Sequence, residues 1–181
     1  MWPGGLRMCH FIKLVLPAQA DVGALREVMQ RHGRLLEPCC DPHLDGDLAP
    51  DERAFLTRGN CDCGTALVRP RGPRREHDEG REPAKLRRSG WSEAKIQRWR
   101  QQRAGVVTRK AEARARTREH ESEQWRALLE DLLGAKVEHI GLVVHWVTAG
   151  VHRGPVFPRT HLNAETLSTL EENILYTFAA R

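Results

Sequence analysis

The chain has 181 residues, of which 40% are hydrophobic and 29% charged, and its formal net charge is +5. This length and composition predict a single domain with one modest hydrophobic core, and they exclude a fully disordered chain and a collagen-like fibre. No apolar run approaches the roughly 18 to 20 residues that cross a bilayer, so we expect no association with a membrane.

The first residues and the cysteines bear on the cellular compartment. Residues 1–7 lack the basic, apolar and cleavage segments of a signal peptide, which predicts a cytoplasmic location. The chain has five cysteines, an odd number, and a reducing compartment keeps cysteines as thiols. We therefore expect metal ligation or thiol chemistry rather than a disulfide framework.

The chain is predicted to begin with a strand and a helix. Residues 8–16 are short, apolar and stopped by Pro17, which predicts a mostly buried strand. In residues 21–32 the apolar side chains recur at helical spacing, with Asp21 as the N-cap and Gly33 as the C-terminal stop. Together they predict a β–α unit.

Two further short strands are predicted on either side of an exposed loop. Residues 35–38 and 54–57 are the strands, and residues 39–51 are rich in Pro and Asp, as loops are. A turn with two glycines follows at residues 58–64. Residues 8–68 are thus predicted to form the N-terminal β-α-β-β half of a single domain.

Positive charge is concentrated in the middle of the chain. Residues 68–118 contain 17 Lys/Arg and 6 Asp/Glu, a net charge of +11. Residues 69–90 have too few apolar side chains to offset their ordering entropy, which predicts a charged flexible linker. Residues 91–133 are predicted to be a basic helical region with a break at Gly105. Only its far end, residues 125–133, carries an apolar stripe.

The C-terminal residues 134–181 are predicted to complete the same domain. Residues 137–147 form the clearest strand, and a last helix at 164–178 is predicted behind Asn163 as its cap. This order of elements predicts an α+β fold, with a small mixed sheet, helices on one face and a protruding long helical segment. A ferredoxin-like relative is our first expectation.

The sharpest chemical signal is the pair Cys61 and Cys63 in the glycine-rich turn. Two thiolates one residue apart can point to the same side and share a metal ion, although zinc motifs more often place two to four residues between them. We select Cys9 as the third ligand. Zinc is the preferred metal because thiolate-rich tetrahedral sites favour it, and copper(I) also suits soft ligands. A structural or sensory role would follow.

Other side chains can supply the missing ligands. His10, Cys39 and Cys40 are the candidates. Cys9 and His10 are neighbours in a predicted strand and should point to opposite faces, so they can serve one site only where the strand is frayed. On that ground we choose Cys9 over His10.

Two alternatives use the same cysteines without a metal. The cysteines can be ordinary reduced thiols, or Cys61 and Cys63 can cycle to a strained disulfide as a thiol-redox pair. If the chain starts at Met8 and loses it, Cys9 becomes an N-terminal nucleophile. No phosphate-binding or dinucleotide-binding glycine pattern follows the first strand, and whether the protein is an enzyme is left open.

The remaining titratable candidates are assigned structural roles. His139 and His145 are six residues apart on one strand face, about 20 Å from end to end, so they cannot bind the same ion. We expect them to be hydrogen-bonded on the sheet, and one of them can join the cysteines if its strand lies beside the first. Glu171 and Glu172 are interpreted as solvated charges on the last helix.

The basic helical region supports a third reading, a nucleic-acid or protein-binding adaptor. Clustered Lys/Arg can neutralise phosphates, and Trp91 and Trp99 can stack on bases. The structural alternative is a solvated helix whose tryptophans anchor it to a core. The region can also pair with a protein partner or a second copy, although the apolar heptads of a coiled coil are absent.

Three segments together resemble a family of small bacterial proteins. They are Met-Cys-His-Phe at residues 8–11, Cys-Asp-Cys-Gly-Thr at residues 61–65 and Gly-Trp-Ser-Glu-Ala-Lys-Ile-Gln-Arg-Trp at residues 90–99. The shared pattern spans most of the chain, and the family has no activity known to us. The resemblance implies a start at Met8, and the pair Cys39-Cys40 departs from the pattern.

Overall fold

A computed structural model describes residues 9–69, 81–147 and 157–179 of the chain. Two compact units are present: the first includes residues 9–69, 120–147 and 157–179, and the second includes residues 81–119. No helix within these described ranges is both long and apolar enough to cross a membrane. The predicted start at Met8 lies outside them.

The first strand and helix form where the sequence predicts them. They are β1 (Cys9–Pro17) and α1 (Val22–Arg31). The side chain of Asp21 accepts the backbone N–H of Ala24 at 3.1 Å, as an N-cap does. Gly33 adopts a φ of 66° just beyond the helix, a conformation that costs glycine little because it has no Cβ.

One mixed sheet organises the first unit. Its other strands are β2 (Glu37–Pro38), β3 (Glu52–Leu56), β4 (His139–Val147), β5 (Arg159–His161) and β6 (Leu175–Ala179). The strand order is β2-β3-β1-β4-β6-β5, with β5 parallel to β6 and every other pair antiparallel. The predicted α+β class is confirmed. The order of the first four strands, with β1 between β3 and β4, is that of a ferredoxin-like arrangement, as expected.

Three further helices complete the described chain. They are α2 (Pro42–Asp45), α3 (Arg81–Arg88) and α4 (Glu93–Gly134). The predicted break at Gly105 is wrong, because neighbours with high helix propensity offset the roughly 1 kcal/mol that a glycine costs. The segment predicted as a linker contains α3, whereas residues 70–80 lie outside the described ranges.

The main core lies between one face of the sheet and two helices. Ile12 and Leu14 of β1 pack there with α1 and with the end of α4, where Trp125 is fully buried. A smaller cluster covers the other face, and in it Leu44 of α2 packs with Val15 of β1. The four-residue α2 thus packs on the second face, whereas α1 and the end of α4 pack on the first.

The predicted last helix at residues 164–178 is wrong. The chain forms only a short 3₁₀ helix (Ala164–Thr166) behind Asn163, and its final apolar residues form β6. Every fourth residue of this stretch is apolar, which suits a helix, but β6 also lies between β4 and β5 and has buried side chains on both faces. Pairing with two strands outweighs the local helical pattern.

Candidate metal centre

Three cysteines meet at the end of the sheet where β1 begins. Cys9 is the first residue of β1, and Cys61 and Cys63 lie in the turn that follows β3. Their sulfur atoms all lie within 4.8 Å of one another, and no disulfide joins them. Cys61 and Cys63 are exposed, whereas Cys9 is half-buried. The structure thus brings together the three residues that the sequence selects.

The residue between the two turn cysteines attaches the turn to β1. Asp62 is only 1% exposed, and its Oδ2 accepts the backbone N–H of Ile12 at 2.8 Å. Its own backbone N–H donates to the carbonyl oxygen of His10 at 2.8 Å. Because Asp62 faces inward, Cys61 and Cys63 on either side of it can both face outward. This explains how a spacing of one residue places two sulfurs together.

Asp62 is buried at an electrostatic cost. Burial raises the pKa of its carboxyl, while the hydrogen bond from Ile12 and the positive charges of Arg58 and Arg34 act in the opposite direction. Arg58 Nε lies 3.8 Å from Asp62 Oδ1, too far for a hydrogen bond. The carboxylate therefore depends mainly on the β1 backbone for its polar contacts.

The thiols of Cys9 and Cys61 differ in their affinity for a proton. Burial, followed by a hydrogen bond with Cys61, raises the pKa of Cys9. The backbone N–H of Cys63 is the main cause that lowers the pKa of Cys61, and hydrogen bonds with the side chains of Cys63 and Cys9 lower it further. Cys9 and Cys61 thus influence each other's affinity for a proton.

His10 joins this group from the other side of β1. Its backbone N–H donates to Cys63 Sγ at 3.2 Å, and its ring Nδ1 lies 3.6 Å from the same sulfur. Ring atom Nε2 lies 2.7 Å from Glu172 Oε1, and the histidine is 2% exposed. Cys9 and His10 are successive residues of β1, where side chains alternate between faces, yet both lie close to the sulfur of Cys63.

Glu172 is a residue that sequence reasoning assigned wrongly. It was expected on the surface of a last helix, but it lies in an extended segment before β6 and forms a bridge with Val144 of β4. Its carboxylate therefore reaches His10 across the sheet. Only a correct placement of this C-terminal segment could have revealed the contact.

The other candidate ligands lie elsewhere in the first unit. β4 is indeed adjacent to β1, but His145 contacts Lys13 and Asp41, and His139 contacts Glu52 at 3.3 Å. Neither histidine joins the cysteines. In the part of the chain that the structure describes, Cys9, Cys61 and Cys63 form the only metal-competent group, so Cys39 and Cys40 are not members of one.

A buried charged cluster on the second sheet face was not predicted. Lys13 Nζ contacts Asp41 Oδ2 and lies 3.1 Å from His145 Nδ1, which is 2.6 Å from the same carboxylate oxygen. All three residues are buried, and burial lowers the pKa of Lys13. The ring of Phe157 packs edge-on against His145. This cluster holds the segment around α2 against β1 and β4.

No family model, no curated protein and no solved structure matches the chain. The resemblance to small bacterial proteins therefore stays a prediction. What the site can do follows from its geometry: a group of three thiols can hold a metal ion, with an imidazole and a carboxylate directly behind one of them.

Proposed function

We propose that the protein binds a metal ion, zinc by preference, through the thiolates of Cys9, Cys61 and Cys63. The observation that carries the proposal is the mutual distance of the three sulfur atoms, within 4.8 Å. In a tetrahedral site with Zn–S bonds of about 2.3 Å, two sulfurs lie about 3.8 Å apart. Bringing the sulfurs to that distance needs movements of about 1 Å at most in an exposed turn.

His10 is the fourth ligand in this proposal. With a Zn–N bond of about 2.1 Å, the expected distance between a ligand nitrogen and a ligand sulfur is about 3.6 Å. His10 Nδ1 lies 3.6 Å from Cys63 Sγ, although it is not within 4.8 Å of all three sulfurs, so the turn must close towards it. The carboxylate of Glu172 on Nε2 supports this assignment, because metal-bound histidines commonly donate their other ring nitrogen to a carboxylate.

The surroundings of the cysteines favour a sensory role over a structural one. Asp62 already attaches the turn to β1 through two hydrogen bonds, so the turn keeps its place without a metal. Cys61 and Cys63 are exposed, which lets thiols in solution compete for the ion. A site of this kind can load and unload with the supply of metal while the fold persists.

Metal content tests the proposal directly. Untagged protein purified without chelator is analysed by elemental mass spectrometry, together with the variants Cys9→Ser and Cys61→Ser. The matched control is Cys40→Ser, which removes an exposed thiol outside the group. We expect about one zinc ion per chain in the wild type and in the control, and loss of most of it in the two variants.

A thiol count on the same samples separates the alternatives. With zinc bound, Cys9, Cys61 and Cys63 should be protected from alkylation until a chelator is added. Protein without metal whose five thiols all react would refute the proposal. A metal-free protein in which only Cys61 and Cys63 resist alkylation until a reductant is added would instead support the thiol-redox alternative.

A further inference from the structure

Beyond the buried Ile96 in its first turn, α4 continues as a helix that packs against no core. From residue 97 to residue 117 no side chain is buried, and only Trp99 and Gly105 are half-buried. Twenty-one residues at 1.5 Å each make this stretch about 30 Å long. A helix that is solvated on all sides gains nothing from packing, so an external partner is a natural reason for it. We call residues 93–119 of α4 the basic arm.

Charge on the basic arm is separated by face. It contains nine Lys/Arg and three Glu. At about 100° per residue, all nine cations fall within roughly 200° of the helix circumference, and Glu93, Glu112 and Glu119 fall on the remaining arc. A solvated face with mixed charges would not show this separation. One side of the helix therefore presents a continuous positive surface.

Within the described residues, some of these cations are paired with a carboxylate and others are not. Arg103 pairs with Glu82 of α3, and Arg87 of α3 pairs with Glu93. The four central cations, in contrast, form no ion pair with any part of the chain that the structure describes; they are Arg109, Lys110, Arg114 and Arg116. Their charge is available to a partner.

We propose that the basic arm binds the phosphate backbone of B-form DNA without reading its sequence. A helix about 10–12 Å in diameter fits a major groove about 12 Å wide, and a 30 Å length spans nearly one turn of the duplex. Lysine and arginine contact phosphates regardless of base, and binding releases the counterions that the phosphates hold.

Other partners fit the surface less well. Two copies of the basic arm would repel each other, because each carries a net charge of +6. A membrane surface needs a continuous apolar face, and the exposed apolar side chains here are Val106 and Val107, which lie among the cations. A single strand needs rings on which bases stack, but Lys95 lies over Trp91 and Arg103 lies near Trp99.

Fluorescence anisotropy with labelled 20-base-pair duplexes of unrelated sequence tests the proposal. We expect dissociation constants of about 1 to 100 µM that are independent of sequence and that weaken steeply between about 50 and 200 mM salt. The quadruple variant Arg109→Gln/Lys110→Gln/Arg114→Gln/Arg116→Gln should weaken binding at least tenfold. It should also reduce the slope of log K against log salt by about 3 to 4, because each lost phosphate contact lowers this slope by roughly 0.9.

Two controls keep the test interpretable. Glutamine retains helix propensity, so circular dichroism should show the same helix content in the quadruple variant as in the wild type. The variant Glu112→Gln/Glu119→Gln removes charge from the opposite face and should bind DNA as tightly as the wild type or more tightly.

Four results would overturn the proposal. They are an unchanged salt slope in the quadruple variant, equal or tighter binding to duplex RNA, equal or tighter binding to poly-glutamate, and oligomers of the protein that the quadruple substitution dissociates. The comparison with duplex RNA is informative because the major groove of A-form duplexes is too deep and narrow for a helix. The last result, seen by sedimentation, would assign the basic arm to a second copy.

Discussion

Replacing Asp62 tests whether this buried carboxylate holds the cysteine turn in place. Asp62→Ala removes the acceptor of the Ile12 N–H and leaves that donor unpaired in a buried place. A hydrogen bond to a charged group contributes about 1.5 to 3 kcal/mol, and an orphaned buried donor costs about 1 to 3 kcal/mol. The substitution also removes the cost of burying the carboxylate, the burial that raises the pKa of Asp62, and this offsets part of the lost stability. We therefore expect the free energy of unfolding to fall by about 2 kcal/mol.

Asp62→Asn is the matched variant, because its amide oxygen can still accept the Ile12 N–H. We expect it to cost less than about 1 kcal/mol. Urea unfolding in the presence of a chelator measures both variants without a contribution from metal.

Zinc affinity should change in parallel with this stability. If Asp62→Ala frees the turn, the ion must order it on binding, and 2 kcal/mol corresponds to roughly a 30-fold loss of affinity. Competition against a colorimetric zinc chelator measures the constant. An Asp62→Ala variant with wild-type unfolding free energy and wild-type zinc affinity would show that the turn is held by other contacts.

Three further outcomes are expected. His10→Ala and Glu172→Gln should each lower zinc affinity about 10- to 100-fold in the same competition assay, and equal affinity in both variants and the wild type would remove the histidine from the site. The hydrogen bond from Arg159 lowers the pKa of Glu52 to about 2, so this pair stabilises the fold above pH 4.5 and the stabilisation disappears as the pH falls through 2. Because solvent screens the partly exposed arginine, we expect about 2 kcal/mol, and Glu52→Gln should flatten the acid side of a pH-stability curve. Lys13→Ala should destabilise the protein by about 3 kcal/mol in urea, since the buried carboxylate of Asp41 loses its lysine although it keeps its contact with His145, and a loss below about 1 kcal/mol would contradict the buried ion pair.

Local signals in the sequence were sufficient to predict the first strand and the first helix. A short apolar run ended by Pro17 predicted β1, and Asp21 and Gly33 marked both ends of α1. Each of these signals acts within a few residues, through a fixed φ angle, a side-chain cap or a left-handed turn. The same kind of evidence failed at residues 175–179, where the deciding contacts are with strands far away in sequence.

The candidate site was predicted in part for the same reason. Cys61 and Cys63 are close in sequence, and Cys9 was chosen over His10 because neighbouring residues of a strand point to opposite faces. The contribution of Glu172 depends on a contact across 162 residues, and the Asp41–His145 contact spans 104. Nothing in the residue types at those positions specifies such contacts, because they arise only from the order of strands in the sheet.

The position of β1 in the sheet determines when its neighbouring strands become available during synthesis. β3, one neighbour of β1, is complete by residue 56, whereas β4, the other neighbour, begins at residue 139. All three cysteines have been translated by residue 63, but Glu172 follows roughly 100 residues later, which is about 5 to 20 s at ordinary rates of elongation. In a nascent chain the three cysteines can therefore come together, with any ion they hold, while the side of β1 that later pairs with β4 is still unpaired. The ion would then be in place before the carboxylate that orients its histidine.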